Sequence, residues 1–461
     1  MSRWQVKRAP SASVAIEPAT PAGAAAATVA DEASRASARL LDLKVKVHRQ
    51  LLDKVNLSLL DKLSREKIAL EVLTIVSDIL ENDGTPLNKA EREQLSNDVL
   101  DELLGLGPLE PLLKDETIND ILVNGCDSVF VERGGLLEKV ATRFQDERHL
   151  IRIIQKIVSA VGRRIDESSP FVDARLGDGS RVNAIVAPLA IDGSLLSIRK
   201  FSKKPISMAR MVELGSLPPA VATVMEGVVQ GHLNVIISGG TGSGKTTLLN
   251  ALSSFIDARE RIVTIEDSAE LQLQQDHVVR LETRPANIEG KGEVTQRDLL
   301  RNALRMRPDR IILGECRSGE AFDMLQAMNT GHDGSMTTVH ANTPRDALSR
   351  IEQMIGMSGI DISARSARSQ IASAIHVVIQ LNRLGDGKRK VISLSEITGM
   401  EGETITMQEI FHFRMTGRDE DGRVLGHFDA TGIRPKFATQ LATHGIHFDS
   451  ELFRPVRLDT K

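Results

Sequence analysis

Apolar residues recur at three- and four-residue intervals over the first part of the chain, which is the period of an α-helix. One apolar face lies within residues 40–55, a second within 68–79 and a third within 95–103. Ser64 is a suitable N-cap for the second run, and the turn-forming sequence NDGTP separates that run from the third. Three amphipathic helices with short connections predict a small helical bundle over residues 31–105.

Between residues 106 and 206 apolar and polar positions alternate instead, with glycines between the alternating runs. Such alternation predicts β-strands joined by tight turns, as in the sequence INDILVNGCDSVFVERGGLLEKV. A helical run near 147–162 interrupts the strands. We therefore predict an α+β domain over residues 106–206.

From residue 207 onward, short apolar strands alternate with helical runs. The predicted strands have the sequences NVIIS, RIVTIED, DRIILGE, SMTTVH and HVVIQL. This order is typical of an α/β domain, in which helices cover the faces of a mainly parallel sheet. We assign the whole of residues 207–461 to this domain, including a C-terminal extension.

Composition limits the class of protein further. Hydrophobic residues make up 41% of the 461 positions and charged residues 26%, as in ordinary globular chains. A net charge of −4 and an aromatic content of 3% argue against nucleic-acid binding, which needs basic and base-stacking surfaces. Cys126 and Cys316 cannot form a four-cysteine zinc site, and their small number fits a reducing cytosol.

The N-terminal residues combine a basic start with an Ala-rich tract, which is also a feature of signal peptides. Glu17, Pro18 and Pro21 interrupt the apolar part, so the composition favours a disordered tail over residues 1–30. The chain contains no uninterrupted apolar run of the roughly 18 residues that a membrane span requires. These observations predict a cytoplasmic protein.

The sequence GGTGSGKT at residues 239–246 is a complete Walker A motif between a predicted strand and a predicted helix. Its glycines let backbone N–H groups surround an oxyanion, and the following helix adds a partial positive charge. Lys245 is expected to reach the β- and γ-phosphates of ATP, and the Thr246 hydroxyl to ligate Mg²⁺. The predicted nucleotide ligands in this loop are Gly239, Gly240, Thr241, Gly242, Ser243, Gly244, Lys245, Thr246 and Thr247. The alternative is a glycine-rich turn without a ligand.

Acidic residues end two further predicted strands. Glu315 ends IILGE, where many P-loop enzymes carry an aspartate, and is expected to hold Mg²⁺ or polarise the attacking water. Glu266, Asp267 and Glu270 follow the strand IVTI, and parallel strands open onto one crevice at their carboxyl ends. The predicted metal ligands are Thr246, Asp267 and Glu315. A solvated strand end or a helix cap is the alternative for each acidic group.

His340 ends a fourth predicted strand, in the sequence GSMTTVHANTP. It can therefore lie in the same crevice and contact the γ-phosphate of a bound nucleotide. His332 is the second candidate histidine. From spacing alone, a buried or capping histidine is an equally good interpretation of these residues.

Taken in order, the Walker A motif, TIEDSAEL, IILGECR and TGHDGSMTTVHANTP resemble the traffic ATPases of type II and type IV secretion and of type IV pili. The sequences at 105–125, 170–185 and 396–414 are similar to the CpaF branch, which serves tight-adherence (Tad) pili. The resemblance implies a RecA-like P-loop C-terminal domain, a PAS-like α+β N-terminal domain and a hexameric ring. It also favours His340, and less strongly His332, as nucleotide-sensing residues.

The resemblance further implies that arginines of the N-terminal domain approach the γ-phosphate. Arg181 and Arg199 best match those positions, and Arg175 is a third candidate. An added arginine can contribute roughly 10³–10⁵ in rate to phosphoryl transfer, whereas surface ion pairing is the alternative role. The arginines around the Glu315 strand are expected to be structural or to lie at subunit contacts: Arg305, Arg307 and Arg317.

Together these features predict a cytoplasmic, Mg²⁺-dependent ATPase that powers pilus assembly, pilus retraction or protein secretion. The implied partners are further copies of the chain and inner-membrane platform proteins, through which the protein would associate peripherally with the membrane. No direct nucleic-acid partner is expected. A type IV secretion ATPase, a RecA-like nucleic-acid motor and a nucleotide-binding scaffold without hydrolysis are the alternatives, and the motifs do not specify the direction of pilus movement.

Overall fold

The computed structural model describes Leu43, Val47 and residues 65–83, 87–201, 205–286 and 290–458. The predicted N-terminal tail and most of the first predicted helix lie outside the described residues. The chain forms two compact units.

The first unit contains the described residues up to Asp115 together with Thr142–Lys156. Its helices are α1 (Arg65–Asp83), α2 (Lys89–Leu104), α3 (Glu110–Lys114) and the start of α4 (Glu147–Ala160), which confirms the helix predicted near 147–162. Helix α2 begins at a capping box, in which Asn88 and Glu91 each accept the other's backbone N–H at 2.8 Å. The unit buries one apolar cluster: Leu43, Val47, Val72, Val76, Ile79, Leu80, Leu95 and Val99. The three-helix bundle itself stays a prediction.

The second unit, from Glu116 to Ala141 and from Ile157 onward, contains a six-stranded antiparallel sheet. Its strands are β1 (Ile118–Asn124), β2 (Val129–Arg133), β3 (Leu136–Val140), β4 (Phe171–Arg175), β5 (Arg181–Ile185) and β6 (Leu195–Arg199), in the spatial order β3-β2-β1-β6-β5-β4. Arg175, Arg181 and Arg199 stand opposite one another on β4, β5 and β6. Because residues paired across neighbouring strands share a face, the three arginines form one row.

The same unit contains a ten-stranded sheet, which confirms the predicted α/β class. Its strands are β7 (Val235–Gly239), β8 (Ile262–Glu266), β9 (Val278–Glu282), β10 (Arg310–Cys316), β11 (Met336–Val339), β12 (Val377–Arg383), β13 (Arg389–Glu401), β14 (Thr404–Arg418), β15 (Val424–Ala430) and β16 (Arg457–Leu458). Their order is β16-β15-β14-β13-β12-β7-β11-β10-β8-β9. The strands from β12 to β9 run parallel, and β13–β16 continue the sheet antiparallel.

Helices cover both faces of this sheet. They are α5 (Met208–Glu213), α6 (Pro219–Gln230), α7 (Lys245–Ser253), α8 (Gln296–Ala303), α9 (Glu320–Asn329), α10 (Pro344–Gly356), α11 (Ala364–Ala374) and α12 (Lys436–Ala442). Val235 and Ile237 of β7 belong to one apolar cluster, with α6 and α7, and Ile236 belongs to another, with α9, α10 and α11. Successive residues of a strand point to opposite faces of the sheet, so neighbouring β7 residues are expected to belong to different clusters.

Arg310 is fully buried at the first position of β10. Its guanidinium bonds the Glu260 carboxylate twice, with Nε 2.5 Å from Oε2 and Nη2 2.9 Å from Oε1. Its Nη1 donates to the Val229 carbonyl oxygen at 2.8 Å. Because water does not reach this guanidinium, its positive charge depends on the Glu260 carboxylate for compensation.

Neutralising Glu260 should destabilise the fold. We expect Glu260→Gln to lower the free energy of unfolding by about 3–5 kcal/mol, because the Arg310 charge stays buried without its anion. Urea unfolding followed by circular dichroism measures the change. Asp257→Asn is the control, because the partner of Asp257 is the exposed Arg259. Equal losses in the two variants would show that burial of the Arg310 pair is unimportant.

Candidate active site

The phosphate loop joins the carboxyl end of β7 to the amino end of α7, as the Walker A motif predicts. Gly242 and Gly244 have φ angles of +68° and +96°, a region that favours glycine. A Cβ on Gly239 would lie 2.5 Å from Ser243 Oγ and 2.7 Å from the Leu381 carbonyl oxygen. A larger residue would therefore strain the backbone at Gly242 and Gly244 and would collide with neighbouring atoms at Gly239.

Unpaired polar groups line the phosphate loop. Ser243 is buried, and its Oγ has no hydrogen-bond partner among the described residues. No described side chain caps helix α7, so its first backbone N–H groups remain available. A helix amino end with free N–H groups attracts anions such as phosphate. The residues present thus fit the phosphates of a nucleotide.

Lys245 directs its ammonium group into the same loop. Its Nζ donates to the carbonyl oxygens of Gly239 at 3.0 Å and Gly240 at 3.1 Å. Burial lowers the pKa of this ammonium group, and the Glu315 carboxylate opposes that shift. Lys245 and Glu315 therefore interact electrostatically, although they lie far apart in the sequence.

Glu266, the last residue of β8, carries a buried carboxyl group that is 4% exposed. Its Oε2 accepts the backbone N–H groups of Glu270 at 2.7 Å and Leu271 at 3.0 Å. Its Oε1 has no partner among the described residues. Burial raises the pKa of Glu266 to about 6. Gly314 leaves room for this side chain, because a Cβ there would lie 2.9 Å from Glu266 Cγ.

Glu315 and Asp267 share one arginine. Arg317 Nη2 donates to Glu315 Oε2 at 2.6 Å, and Arg317 Nη1 donates to Asp267 Oδ2 at 3.2 Å. Arg317 was expected to be structural or to lie at a subunit contact, and its pairing with both carboxylates was not predicted. The available signal was its spacing of two residues from Glu315, because residues at i and i+2 share a face of an extended strand.

Two arginines of the six-stranded sheet reach the acidic segment after β8. Arg181 Nη1 pairs with Glu270 Oε1. Arg175 Nη2 donates to Ser268 Oγ at 2.8 Å, and Arg175 Nη1 lies 2.9 Å from Glu282 Oε2. Both arginines are thus held beside the predicted acidic group by anions or hydroxyls of the chain itself.

Arg199, the third arginine of the row, is placed differently. Its Nε donates to Asp120 Oδ1 of β1 at 3.1 Å, and its side chain is 57% exposed. The structure therefore brings Arg181 and Arg175 to the acidic segment but leaves Arg199 paired within its own sheet.

Most of these side chains line one small cavity. Its lining residues are Arg181, Thr246, Glu266, Asp267, Ser268, Glu270, Gln296, Gly314, Glu315 and Arg317. Residues predicted to contact phosphate, metal and water thus come together from β5, α7, β10 and the end of β8. Gln296, at the start of α8, was not predicted, and no motif in the sequence distinguishes it.

His340 immediately follows β11, at the edge where the phosphate loop begins. Val339 pairs with Ser238 of β7 on one side and with Cys316 of β10 on the other. The backbone of His340 therefore stands between the ends of the strand that carries the phosphate loop and the strand that carries Glu315. His340 is not among the residues that line the cavity, so its contact with a nucleotide stays a prediction.

His332 lies at the opposite edge of the sheet, because it precedes β11. Its carbonyl oxygen accepts the Ser335 hydroxyl at 2.8 Å, and the Ser335 N–H donates to Asn234 Oδ1, next to the start of β7, at 3.0 Å. The structure does not bring His332 to the phosphate loop of the same chain. We therefore do not include it among the proposed nucleotide ligands.

In the part of the chain that the structure describes, no group of three or more His, Cys, Asp or Glu side chains could hold a metal ion alone. Mg²⁺ usually keeps several waters and takes one or two protein ligands together with phosphate oxygens. Thr246, Asp267 and Glu315 all line the cavity. This donor set fits an ion that arrives with the nucleotide.

A family model described as "Type II/IV secretion system protein" matches residues 102–422. The chain belongs to this family. A Mycobacterium tuberculosis protein named as a conjugal transfer protein is 41% identical over 307 residues, which cover 65% of this chain and 87% of the relative. The conjugal transfer protein TrbB of Rhizobium radiobacter is 31% identical over 311 residues, which cover 67% of this chain and 91% of TrbB.

The crystal structure of the VirB11 ATPase from the Brucella suis type IV secretion system, in complex with sulphate, has 30% sequence identity and a TM-score of 0.34, covering 63% of this chain and 92% of that one. Membership of this secretion-system family implies nucleotide binding. Among the described residues of this secretion-family protein, no helix has the length and apolar character to span a membrane.

Glu266 should make the stability of this secretion-family protein depend on pH. Because its pKa is raised from 4.5 to about 6, the folded chain binds the proton more tightly than the unfolded chain does. The group's contribution to the free energy of unfolding therefore falls by about 2 kcal/mol in total as the pH rises from below 4.5 to above 6.

Glu266→Gln removes this titration, so the variant should gain stability relative to wild type as the pH rises through that interval. Urea unfolding midpoints of both proteins below, within and above the interval measure the difference. A difference that does not change with pH would disprove the raised pKa.

Proposed function

We propose that this chain is a Mg²⁺-dependent ATPase that converts ATP hydrolysis into movement within a secretion or pilus machine. The observation that supports this most strongly is that Thr246, Glu266 and Glu315 line one cavity beside the phosphate loop. Nucleotide binding alone requires only the loop. Carboxylates next to it supply what hydrolysis adds, a group that orients water and accepts its proton.

The proposed division of labour follows from the contacts of each side chain. Lys245 and the free N–H groups of α7 would hold the β- and γ-phosphates, and the Thr246 hydroxyl would ligate Mg²⁺. Mg²⁺, when bound, supplies positive charge at the phosphate oxygens. Glu315 would orient the attacking water once its contact with Arg317 is shared or released. The unpaired Oε1 of Glu266 is a second acceptor for that water.

Arg181 would complete the site from another part of the molecule. It belongs to the six-stranded sheet, whereas the phosphate loop belongs to the ten-stranded sheet. In the structure, Glu270 pairs with Arg181. Moving to the γ-phosphate would exchange one anion for another, so the arginine would keep a partner on both sides of the movement. We propose that such movements, around a hexameric ring, transmit the energy of hydrolysis.

His340 would report the state of the γ-phosphate. The position of its backbone, directly after a strand that lies between β7 and β10, supports this role, because those strands carry the phosphate loop and Glu315. Loss of the γ-phosphate would remove its partner and change the turn that follows β11. Arg199 stays a weaker candidate, since it would first have to leave Asp120.

Two machines are candidates for this motor. The segments at 105–125, 170–185 and 396–414 resemble tight-adherence pilus ATPases of the CpaF branch. The relatives from M. tuberculosis and R. radiobacter are instead named for conjugal transfer, which favours a type IV secretion role. Deleting the gene distinguishes them: loss of surface pili supports the first role, and loss of conjugal transfer with pili retained supports the second.

In either machine, we propose that the protein acts at the cytoplasmic face of the inner membrane. It would associate with that membrane through platform proteins. Homo-hexamer formation can be measured by mass photometry with and without nucleotide, and a monomer under all conditions would argue against the ring.

Two substitutions at the phosphate site test the proposed chemistry. Lys245→Ala should abolish both ATP binding and phosphate release, because the Lys245 ammonium group is the positive charge that the Walker A motif itself supplies to the β- and γ-phosphates. Glu315→Gln should bind ATP normally but lower turnover at least about a hundredfold, because the amide cannot accept a proton. Steady-state phosphate release and binding of a fluorescent nucleotide measure these effects. Unchanged turnover in Glu315→Gln would remove this residue from the mechanism.

Arg181→Gln should lower turnover about a hundredfold or more while leaving ATP affinity nearly unchanged. The reason is that Arg181 would meet the γ-phosphate only as charge develops there. Arg164→Gln is the matched control, since Arg164 pairs with the exposed Asp166 in the same domain. Both variants are compared in phosphate release and nucleotide binding. A parallel loss of affinity and turnover in Arg181→Gln would point to simple nucleotide binding instead.

A further inference from the structure

Strand β12 contains a buried glutamine beside the strand that carries the phosphate loop. Gln380 is fully buried and pairs in register with Ser238 of β7. Its Nε2 donates to the carbonyl oxygens of Ala341 at 3.2 Å and Asn342 at 3.1 Å. Its Oε1 has no hydrogen-bond partner among the described residues, although leaving such an atom unpaired costs about 1–3 kcal/mol.

The two acceptors of Gln380 lie in the turn that follows His340. Strand β7 lies between β12 and β11, so the Gln380 side chain reaches across the end of β7 to this turn. The neighbouring residue of β12, Leu381, also contacts the phosphate loop, since its carbonyl oxygen lies 2.7 Å from the Cβ position of Gly239. One strand therefore supports both the phosphate loop and the turn that carries His340.

We propose that Gln380 is a positioning residue for His340, and this inference rests on the proposed ATPase function. Its two hydrogen bonds to Ala341 and Asn342 fix the turn after β11 at a set distance from the phosphate loop, so that His340 meets the γ-phosphate in one orientation. A donor is required at this point because both partners are carbonyl oxygens. A neutral amide provides it without competing for the phosphate as a buried cation would.

Asn234 shows how an amide that only supports the fold is used in the same sheet. It is also fully buried, at the opposite edge, next to the start of β7. Its Nδ2 donates to the Ala374 carbonyl oxygen at 2.8 Å, and its Oδ1 accepts the Ser335 N–H at 3.0 Å. Both ends of Asn234 are therefore paired, whereas Gln380 bonds only through its donor end to the turn after His340.

The test is a double-mutant cycle between Gln380 and His340 in the full-length protein. Gln380→Met removes the donor while a flexible apolar side chain fills a similar space. We expect it to lower kcat about ten- to a hundredfold, because small displacements of catalytic groups have effects of this size, while ATP affinity changes less than about threefold. In the His340→Ala background, the same substitution should change kcat less than about twofold, because residues that act as a unit are not additive.

Asn234→Leu is the matched control, which should lower the unfolding temperature but leave kcat unchanged. Should Gln380→Met fail to fold, Gln380→Glu keeps the shape of the side chain and replaces its donor by an acceptor, with the same expectation for kcat. The inference would be overturned if Gln380→Met lowered kcat by the same factor in the wild-type and His340→Ala backgrounds. It would also be overturned if weaker ATP binding accounted for the entire loss of activity. A wild-type protein without ATP turnover would instead reject the proposed function, and the inference with it.

Discussion

The parallel alignment of β7, β8, β10 and β11 is the constraint on which the candidate site depends. Parallel strands end at one edge, so groups that are distant in the sequence meet there. Glu266, Asp267 and Glu315 would repel one another at that edge if they stood alone. Arg181 and Arg317 reduce the repulsion, because each contacts a carboxylate of this acidic group or of the segment beside it. A bound nucleotide with its metal would therefore enter a network in which two arginines already offset part of the acidic charge.

Elements with local signals could be predicted from the sequence. The five strands predicted from residue 207 onward are all present, because each is a short apolar run bounded by turns. The phosphate loop is equally local, since its glycines, its lysine and its flanking elements lie within one stretch. The placement of Glu315 and His340 near the loop followed from a single topological rule, that parallel strands end at the same edge.

Features set by register and long-range pairing could not be predicted in this way. Strand β9 and strands β13–β16 were not identified. Strand β9 has no fully buried position, and register shifts interrupt the pairing of β13 with β14 and of β14 with β15, so the expected alternation is lost. His332 lies close to His340 in sequence, but β11 separates them by its full length, so they stand at opposite edges. Arg181 and Arg199 stand opposite each other on β5 and β6, yet Arg181 pairs with Glu270 and Arg199 pairs with Asp120. The sequence does not show which of these carboxylates each arginine reaches.

The central claim is that the strand ends and Arg181 of the six-stranded sheet meet at one triphosphate. Cryo-electron microscopy of the protein with Mg²⁺ and a slowly hydrolysed ATP analogue tests it most directly. We predict the terminal phosphate within hydrogen-bonding distance of Lys245 Nζ and an Arg181 guanidinium, with Glu315 facing it across a water. Density for the nucleotide away from Gly239–Thr246, or a Glu315 side chain turned away from the terminal phosphate, would contradict the account.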